Sequence, residues 1–373
     1  MVTINNISDC KRVVIKIGSS LVTNNSNDID KKFLDSISSD IQNLHKQNKE
    51  VILVSSGAVA LGNRNKDKKK LSLSESQAAS SVGQIKLING WESALKNKGI
   101  QIAQILITAE DTENRRRYLN ARATFEELLK EKYIPIINEN DTVATSEIRY
   151  GDNDRLAARV AGMLSADCLV LLSNIDGLYT KDPKSQNGKL ITEIKEIDED
   201  IISMAGKESH QGSGGMITKI EAAKICMSAG CNMVISSGNN DNPILSIERG
   251  QNCSWFYPSQ ISKNSLKTWL SGQLKPSGKI YTDEGASSAL LAGKSLLAAG
   301  VIKIEGTFDK GDTLVIYNNN NKEIARGLSN YNSKELEKII GKKSEEIEKI
   351  LGYAVKTEII HRNNLSYSGE KEV

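Results

Sequence analysis

The chain has 373 residues, 39% of them hydrophobic and 25% charged, with a formal charge of +3. Those proportions are those of an ordinary soluble globular protein, exclude fibrous and disordered classes, and give no electrostatic case for nucleic acid. No run approaches the ~18 apolar residues of a membrane-spanning helix, and the start MVTINNISDCKRVVIKIG lacks a basic segment followed by an apolar one, so no membrane association and a cytoplasmic location are expected.

In chain order, short β-branched runs alternate with amphipathic stretches. Strands are predicted at 12–17, 50–55, 100–106, 133–138, 167–173 and 232–236, with helices near 30–47, 74–97, 118–131, 153–165 and 215–229. This is the pattern of β-α-β crossovers, and it predicts an α/β fold with a mainly parallel sheet sandwiched by helices over residues 1–257. The pattern breaks across 258–277, which carries Pro258 and Pro276 and is expected to be a linker. Residues 278–356 then read as a small mixed β/α domain, a helix followed by short strands, with a hairpin tip at the run from Asn318 to Asn321. Residues 357–373 read as a polar tail. The five cysteines are scattered and form no C-x-x-C pair, which argues against a disulfide framework or zinc site. Cys226 and Cys231 are expected to pack within one helix. The three histidines show no catalytic spacing.

Three loops follow strands and open helices. VVIKIGSS (13–20) sets Lys16 at a strand end before Gly18, SSGAVALG (55–62) carries Ser55, Ser56 and Gly57, and QGSGGMITK (211–219) leads through three glycines into Thr218 and Lys219. Backbone amides and a helix N-terminus in such a turn favour an anion such as phosphate. The Lys precedes the Gly in the first loop, so this is not a Walker A sequence. Together the loops supply two lysines and many amides but no base. A carboxylate nucleophile needs none, being ionised at neutral pH, and phosphoryl transfer depends on alignment and charge neutralisation. A carboxylate such as Asp154 suits the task of holding both lysines.

The block NENDTVATSEIRYGDND (138–154) follows the apolar run YIPII and collects five carboxylates and three Asn side chains. Polar groups at the C-terminal end of a buried strand mark the ligand edge of open α/β sheets. Amides beside carboxylates suit a ligand with an ammonium group, which points to an amino acid.

These motifs, with ASSVGQ, YLNARATF and LLSNIDGLYTKDP, occur in an order and spacing that resemble the bacterial glutamate 5-kinases, a branch of the amino acid kinase superfamily, and Gly278 to about Lys356 resembles a PUA domain. The resemblance implies an eight-stranded sheet and ATP- and Mg²⁺-dependent phosphorylation of the L-glutamate side chain, the first step of proline biosynthesis. It implies catalytic roles for Lys16, Lys219 and Asp154 and glutamate binding by Ser56, Asp141 and Asn153. It implies ATP binding by Lys16, Ser173, Asn174, Gly212, Ser213, Gly214, Gly215, Met216, Ile217 and Thr218, with magnesium carried by the nucleotide and no metal ligand in the chain. Proline as feedback inhibitor, a homo-oligomer and a downstream glutamyl phosphate reductase are its implied partners. Relatives usually have Asp where this chain has Asn174.

Other features carry plainer expectations. Asp152 is expected to cap the helix beginning at Asn153 or Asp154. His210 reads as an exposed loop residue and KDKKK (66–70) as a solvated hinge. Arg115, Arg116 and Arg117 are candidates for a subunit contact or the substrate entrance. From Gly278 onward 14 basic residues face 14 acidic ones, so RNA binding by the tail domain is not expected.

Overall fold

The computed structural model describes residues 6–24, 26–63, 71–144, 152–181, 188–205, 215–258, 276–352 and 357–367. The chain forms two compact units that divide near residue 263. No helix among the described residues is long and apolar enough to cross a membrane.

The first unit is built on β1 (Arg12–Ile17), β2 (Glu50–Ser55), β3 (Ile102–Ile107), β4 (Ile134–Glu139), β5 (Cys168–Ser173), β6 (Glu193–Ile194), β7 (Asn232–Ser237) and β8 (Cys253–Phe256). Their order is β3-β4-β2-β1-β5-β7-β8-β6. The first six in that order run parallel, and β8 joins antiparallel to β7. The central strands are apolar on both faces because helices cover both, which is why they read as continuous β-branched runs instead of alternating ones.

Alternation still decides what each face meets. Val13, Ile15 and Ile17 turn into a core shared with α1 (Lys31–Lys46) and α2 (Leu73–Lys96), through Leu34, Ile37, Leu87 and Trp91. Val14 turns to the opposite core, shared with α3 (Arg115–Lys130), α4 (Asp152–Met163) and α5 (Met216–Ser228). Lys16, two residues on from Val14, therefore faces the layer of α4 and α5 at the C-terminal end of its strand.

The strand expected at 100–106 starts two residues later. Gly99, at φ 75°, ends the turn after α2, and the Ile100 N–H returns to the Leu95 carbonyl at 3.0 Å. The helix expected from Asn153 or Asp154 begins at Asp152, so its cap falls outside the described residues. Cys226 and Cys231 do not share a helix: α5 ends at Ser228, and Cys231 lies just before β7, buried like Cys226.

The second unit has a five-stranded mixed sheet of β9 (Gly278–Thr282), β10 (Val301–Glu305), β11 (Thr313–Tyr317), β12 (Glu323–Leu328) and β13 (Leu365–Tyr367), ordered β10-β9-β11-β12-β13. Asn318 to Asn321 form the tip between antiparallel β11 and β12, with Asn321 at φ 55°. Of the polar tail expected at 357–373, the described residues 357–367 are instead part of this unit. Glu358–Ile360 pairs with Leu296–Leu297, β13 adds an edge to the sheet, and Ile359, Ile360 and Leu365 are buried. Three-residue strands are too short for alternation to be visible in the sequence. Of the expected linker, 259–275 lies outside the described residues, as do His210 and 66–70.

Candidate active site

The parallel strands bring the ends of β1, β2, β4, β5 and β7 to one edge of the sheet, the position where open α/β sheets bind ligands. Two of the three expected loops and the described part of the acidic block converge there. Gly212, Ser213 and Gly214 lie outside the described residues, and α5 is described from its N-cap, Gly215.

Asp154, in the first turn of α4, sits between the two lysines. Lys16 Nζ is 2.5 Å from its Oδ1 in a close ion pair, and Lys219 Nζ donates to its Oδ2 at 3.1 Å. Exposure is 7% for Lys16, 1% for Asp154 and 5% for Lys219, so all three charges are held away from bulk water. Burial pushes the Asp154 carboxyl up, but the facing ammonium groups of Lys16 and Lys219 outweigh it and bring it down to about 2. The cluster keeps one positive charge in excess beside the N-terminal turns of two helices, whose dipoles add to it. An incoming phosphate anion is the natural complement.

Thr218, expected on the nucleotide, lies within the same cluster. Its Oγ1 is 3.0 Å from Asp154 Oδ2 and 2.9 Å from the Gly215 carbonyl, so its one proton serves these acceptors. Gly215 caps α5 without a side-chain bond, which leaves first-turn amides of that helix for a ligand. Met216 and Ile217 are half-buried in that turn.

Asn153, one residue before Asp154 and about 100° around the helix, faces the other way. Its Nδ2 donates to Ser56 Oγ at 2.7 Å and to Asn138 Oδ1 at 3.0 Å. Asn138 Nδ2 in turn donates to Gln84 Oε1 at 2.8 Å. Asp141, also buried, accepts from Ser80 Oγ at 2.5 Å. The expected substrate residues Ser56 and Asn153 thus share one hydrogen-bonded cluster, Asp141 is held by Ser80 of α2, the helix that also carries Gln84, and Lys16, Lys219 and Asp154 form a second cluster. The first turn of α4 is the seam between them.

Asn138 and Gln84 bond to the Ser56–Asn153 cluster and Ser80 bonds to Asp141, but none of the three is among the site residues expected from the sequence. The signal is present in QAASSVGQ (77–84): Gln77, Ser80 and Gln84 recur at helical spacing, with Trp91 two turns beyond. Gln77 reaches the Ala144 carbonyl and Trp91 Nε1 bonds Ser55 Oγ at 2.9 Å. Two glycines bring this helix close. A Cβ on Gly83 would lie 1.8 Å from the Ala58 carbonyl oxygen, and one on Gly62 1.8 Å from that of Ala79. Only bare backbone lets the turn after β2 lie flat on α2. Gly57, at φ 116°, makes the reversal that presents Ser56.

At the far end of the edge, past β5 and β7, a cavity of about 480 Å³ is lined by polar groups including Asn174, Asp176, Ser237, Asn240, Arg249 and Asn252. Asn174 is exposed and Ser173 half-buried at the end of β5. Asp176 accepts from Tyr179 Oη and Asn252 Nδ2. Arg117, in the arginine run, pairs with Asp111 at 3.1 Å and is largely solvated, and Arg116 is exposed. Among the described residues, no group of three or more His, Cys, Asp or Glu side chains is arranged to hold a metal ion.

Comparison with known proteins agrees with this architecture. Residues 11–237 match the amino acid kinase family and residues 278–351 the PUA domain. Glutamate 5-kinase 1 of Rhizobium meliloti (strain 1021) is 52% identical over 363 residues, covering 96% of this chain and 92% of the relative. Glutamate 5-kinase of Pelagibacter ubique (strain HTCC1062) is 51% identical over 363 residues, covering 96% of this chain and 99% of the relative. Among solved structures, a carbamate kinase from Giardia lamblia superposes with a TM-score of 0.50 at 17% identity, over 68% of this chain and 100% of its own, a likeness of fold. The chain therefore belongs to the glutamate 5-kinase branch of the amino acid kinase family and carries a C-terminal PUA domain.

Proposed function

We infer that this protein transfers a phosphoryl group from ATP to the side-chain carboxylate of L-glutamate, giving L-glutamyl 5-phosphate, the opening step of proline biosynthesis. The observation that carries the reading is the buried Lys16–Asp154–Lys219 cluster, one helical residue away from the Asn153–Ser56 half-site. The glutamate 5-kinases that align over 96% of the chain support glutamate as the acceptor.

The chemistry follows from charge. The γ-carboxylate of glutamate is ionised at neutral pH and attacks phosphorus without losing a proton, so no general base is required. Lys16 and Lys219 neutralise the phosphoryl oxygens as charge shifts between donor and acceptor, and the amides at the start of α5 add to them. Asp154 holds both ammonium groups at fixed positions so that little reorganisation accompanies transfer. Asp141 accepts the α-ammonium, while Ser56 and Asn153 orient the acceptor beside the seam.

The nucleotide is assigned to Lys16, to Ser173 and Asn174 at the cavity past β5, and to Gly212 through Thr218. The Giardia carbamate kinase of the same fold was solved with AMP-PNP bound. Asp154 is already neutralised by two lysines and has no charge to spare for a divalent ion, so Mg²⁺ is assigned to the nucleotide phosphates, where it supplies further charge neutralisation. The same reading brings proline as feedback inhibitor, a homo-oligomeric assembly and a reductase that takes up the labile acyl phosphate.

An ADP-release assay over glutamate, N-acetylglutamate, aspartate, carbamate and UMP, with hydroxylamine present, tests the reading. ADP and a hydroxamate are expected with glutamate. Release with carbamate or UMP and none with glutamate would overturn it.

A further inference from the structure

Three amides and a hydroxyl form a directional chain in the substrate half-site. Gln84 Oε1 accepts from Asn138 Nδ2, Asn138 Oδ1 accepts from Asn153 Nδ2, and that same Nδ2 reaches Ser56 Oγ. A side-chain amide has one accepting end and one donating end. With the NH₂ of Asn138 turned to Gln84, the opposite end of the same amide, its carbonyl, faces Asn153, which answers with its own NH₂. Two groups are left over. Asn153 Oδ1 and Gln84 Nε2 are both buried without a hydrogen-bond partner among the described residues.

A buried acceptor left unpaired is costly, and a ligand that donates to it recovers that cost. An ammonium group has three donors and no acceptor. Facing the opposite way, Asn153 would offer an NH₂ to such a ligand and bond nothing.

We propose that Gln84 is a positioning residue that sets this polarity: through Asn138 it turns the carbonyl of Asn153 toward the substrate and so selects for an α-ammonium group. This rests on the reading of glutamate as acceptor. Gln84 touches neither lysine, and it occupies α2, an element to which the expected catalytic and binding residues do not belong. Its grip on Asn138 depends on the close approach of α2 to the turn after β2.

The test compares glutamate with glutarate, which lacks only the α-amino group, using the full-length chain and the variants Gln84→Met and Gln84→Glu. Gln84→Met removes the acceptor that holds Asn138 while keeping length and volume. It is expected to raise the KM for glutamate about tenfold, while the Ki of glutarate as competitor moves less than threefold. Gln84→Glu keeps an acceptor for Asn138 Nδ2 and should hold the KM for glutamate within threefold of the parent. A merely structural role would shift both ligands together, and that outcome, or an unchanged KM in Gln84→Met, overturns the proposal. If Gln84→Met does not fold, Gln84→Glu decides alone, and a tenfold rise in its KM overturns the proposal. A parent protein that forms no glutamyl hydroxamate refutes the assignment of the acceptor instead; an active parent with an unmoved Gln84→Met refutes the relay alone.

Discussion

Replacing Asp154 by Asn would leave the ammonium groups of Lys16 and Lys219 buried on either side of a neutral amide. In the parent the carboxyl is held at about 2 against an ordinary 3.8, because the two lysines outweigh the burial that raises it. By linkage that difference corresponds to roughly 2 kcal/mol of folding stability at neutral pH. The variant loses more than this, since breaking a buried ion pair by removing one partner costs about 3–5 kcal/mol. Urea denaturation of the unliganded protein, followed by tryptophan fluorescence, should therefore show a loss of about 3 kcal/mol. The pH dependence has a defined sign. The folded value lies below the unfolded one, so the contribution is full above about pH 4 and is lost as pH falls from 3.8 toward 2, and that acid limb should be missing in Asp154→Asn. Magnesium ATP should raise the melting temperature of the variant more than that of the parent, because the cluster has lost a negative charge that competes with phosphate. Turnover should fall by ~10²-fold or more, as for lost transition-state electrostatics. A variant within about 0.5 kcal/mol of the parent would refute the inference that Asp154 is the counterion of both lysines.

Lys16→Ala and Lys219→Ala should each lower kcat by ~10²-fold or more, and steady-state activity within tenfold of the parent would contradict their roles. Asp141→Ala should chiefly raise the glutamate KM, because an ammonium partner binds ground and transition states alike; an unchanged KM would move the substrate elsewhere. Gly83→Ala forces a Cβ to 1.8 Å from the Ala58 carbonyl oxygen, where backbone must shift. It should cost about 3 kcal/mol by urea denaturation, and a neutral result would contradict the close approach of α2.

The sheet and the charged cluster were legible because local chemistry specified them. Buried β-branched runs announced the parallel strands, and Lys16, Lys219 and Asp154 stood at predicted strand and helix ends on the ligand edge of the sheet. Gln84 and Asn138 were less legible because their partnership is tertiary. Nothing near Gln84 in the chain indicates that Gly62 and Gly83 let two backbones nearly touch. The same holds for Ile359, Ile360 and Leu365, whose burial follows from strands too short to show a period. The resemblance assigns Thr218 to the nucleotide; that its hydroxyl also lies against Asp154 follows only from α4 and α5 packing side by side.

Glutamate labelled with ¹⁸O in the γ-carboxylate, incubated with protein, magnesium ATP and hydroxylamine, tests the central claim most directly. If the carboxylate itself attacks phosphorus, hydroxylamine releases inorganic phosphate carrying one ¹⁸O per hydroxamate formed. Unlabelled phosphate, or no hydroxamate at all, would contradict attack by an already ionised carboxylate at a site whose two lysines neutralise the phosphoryl group.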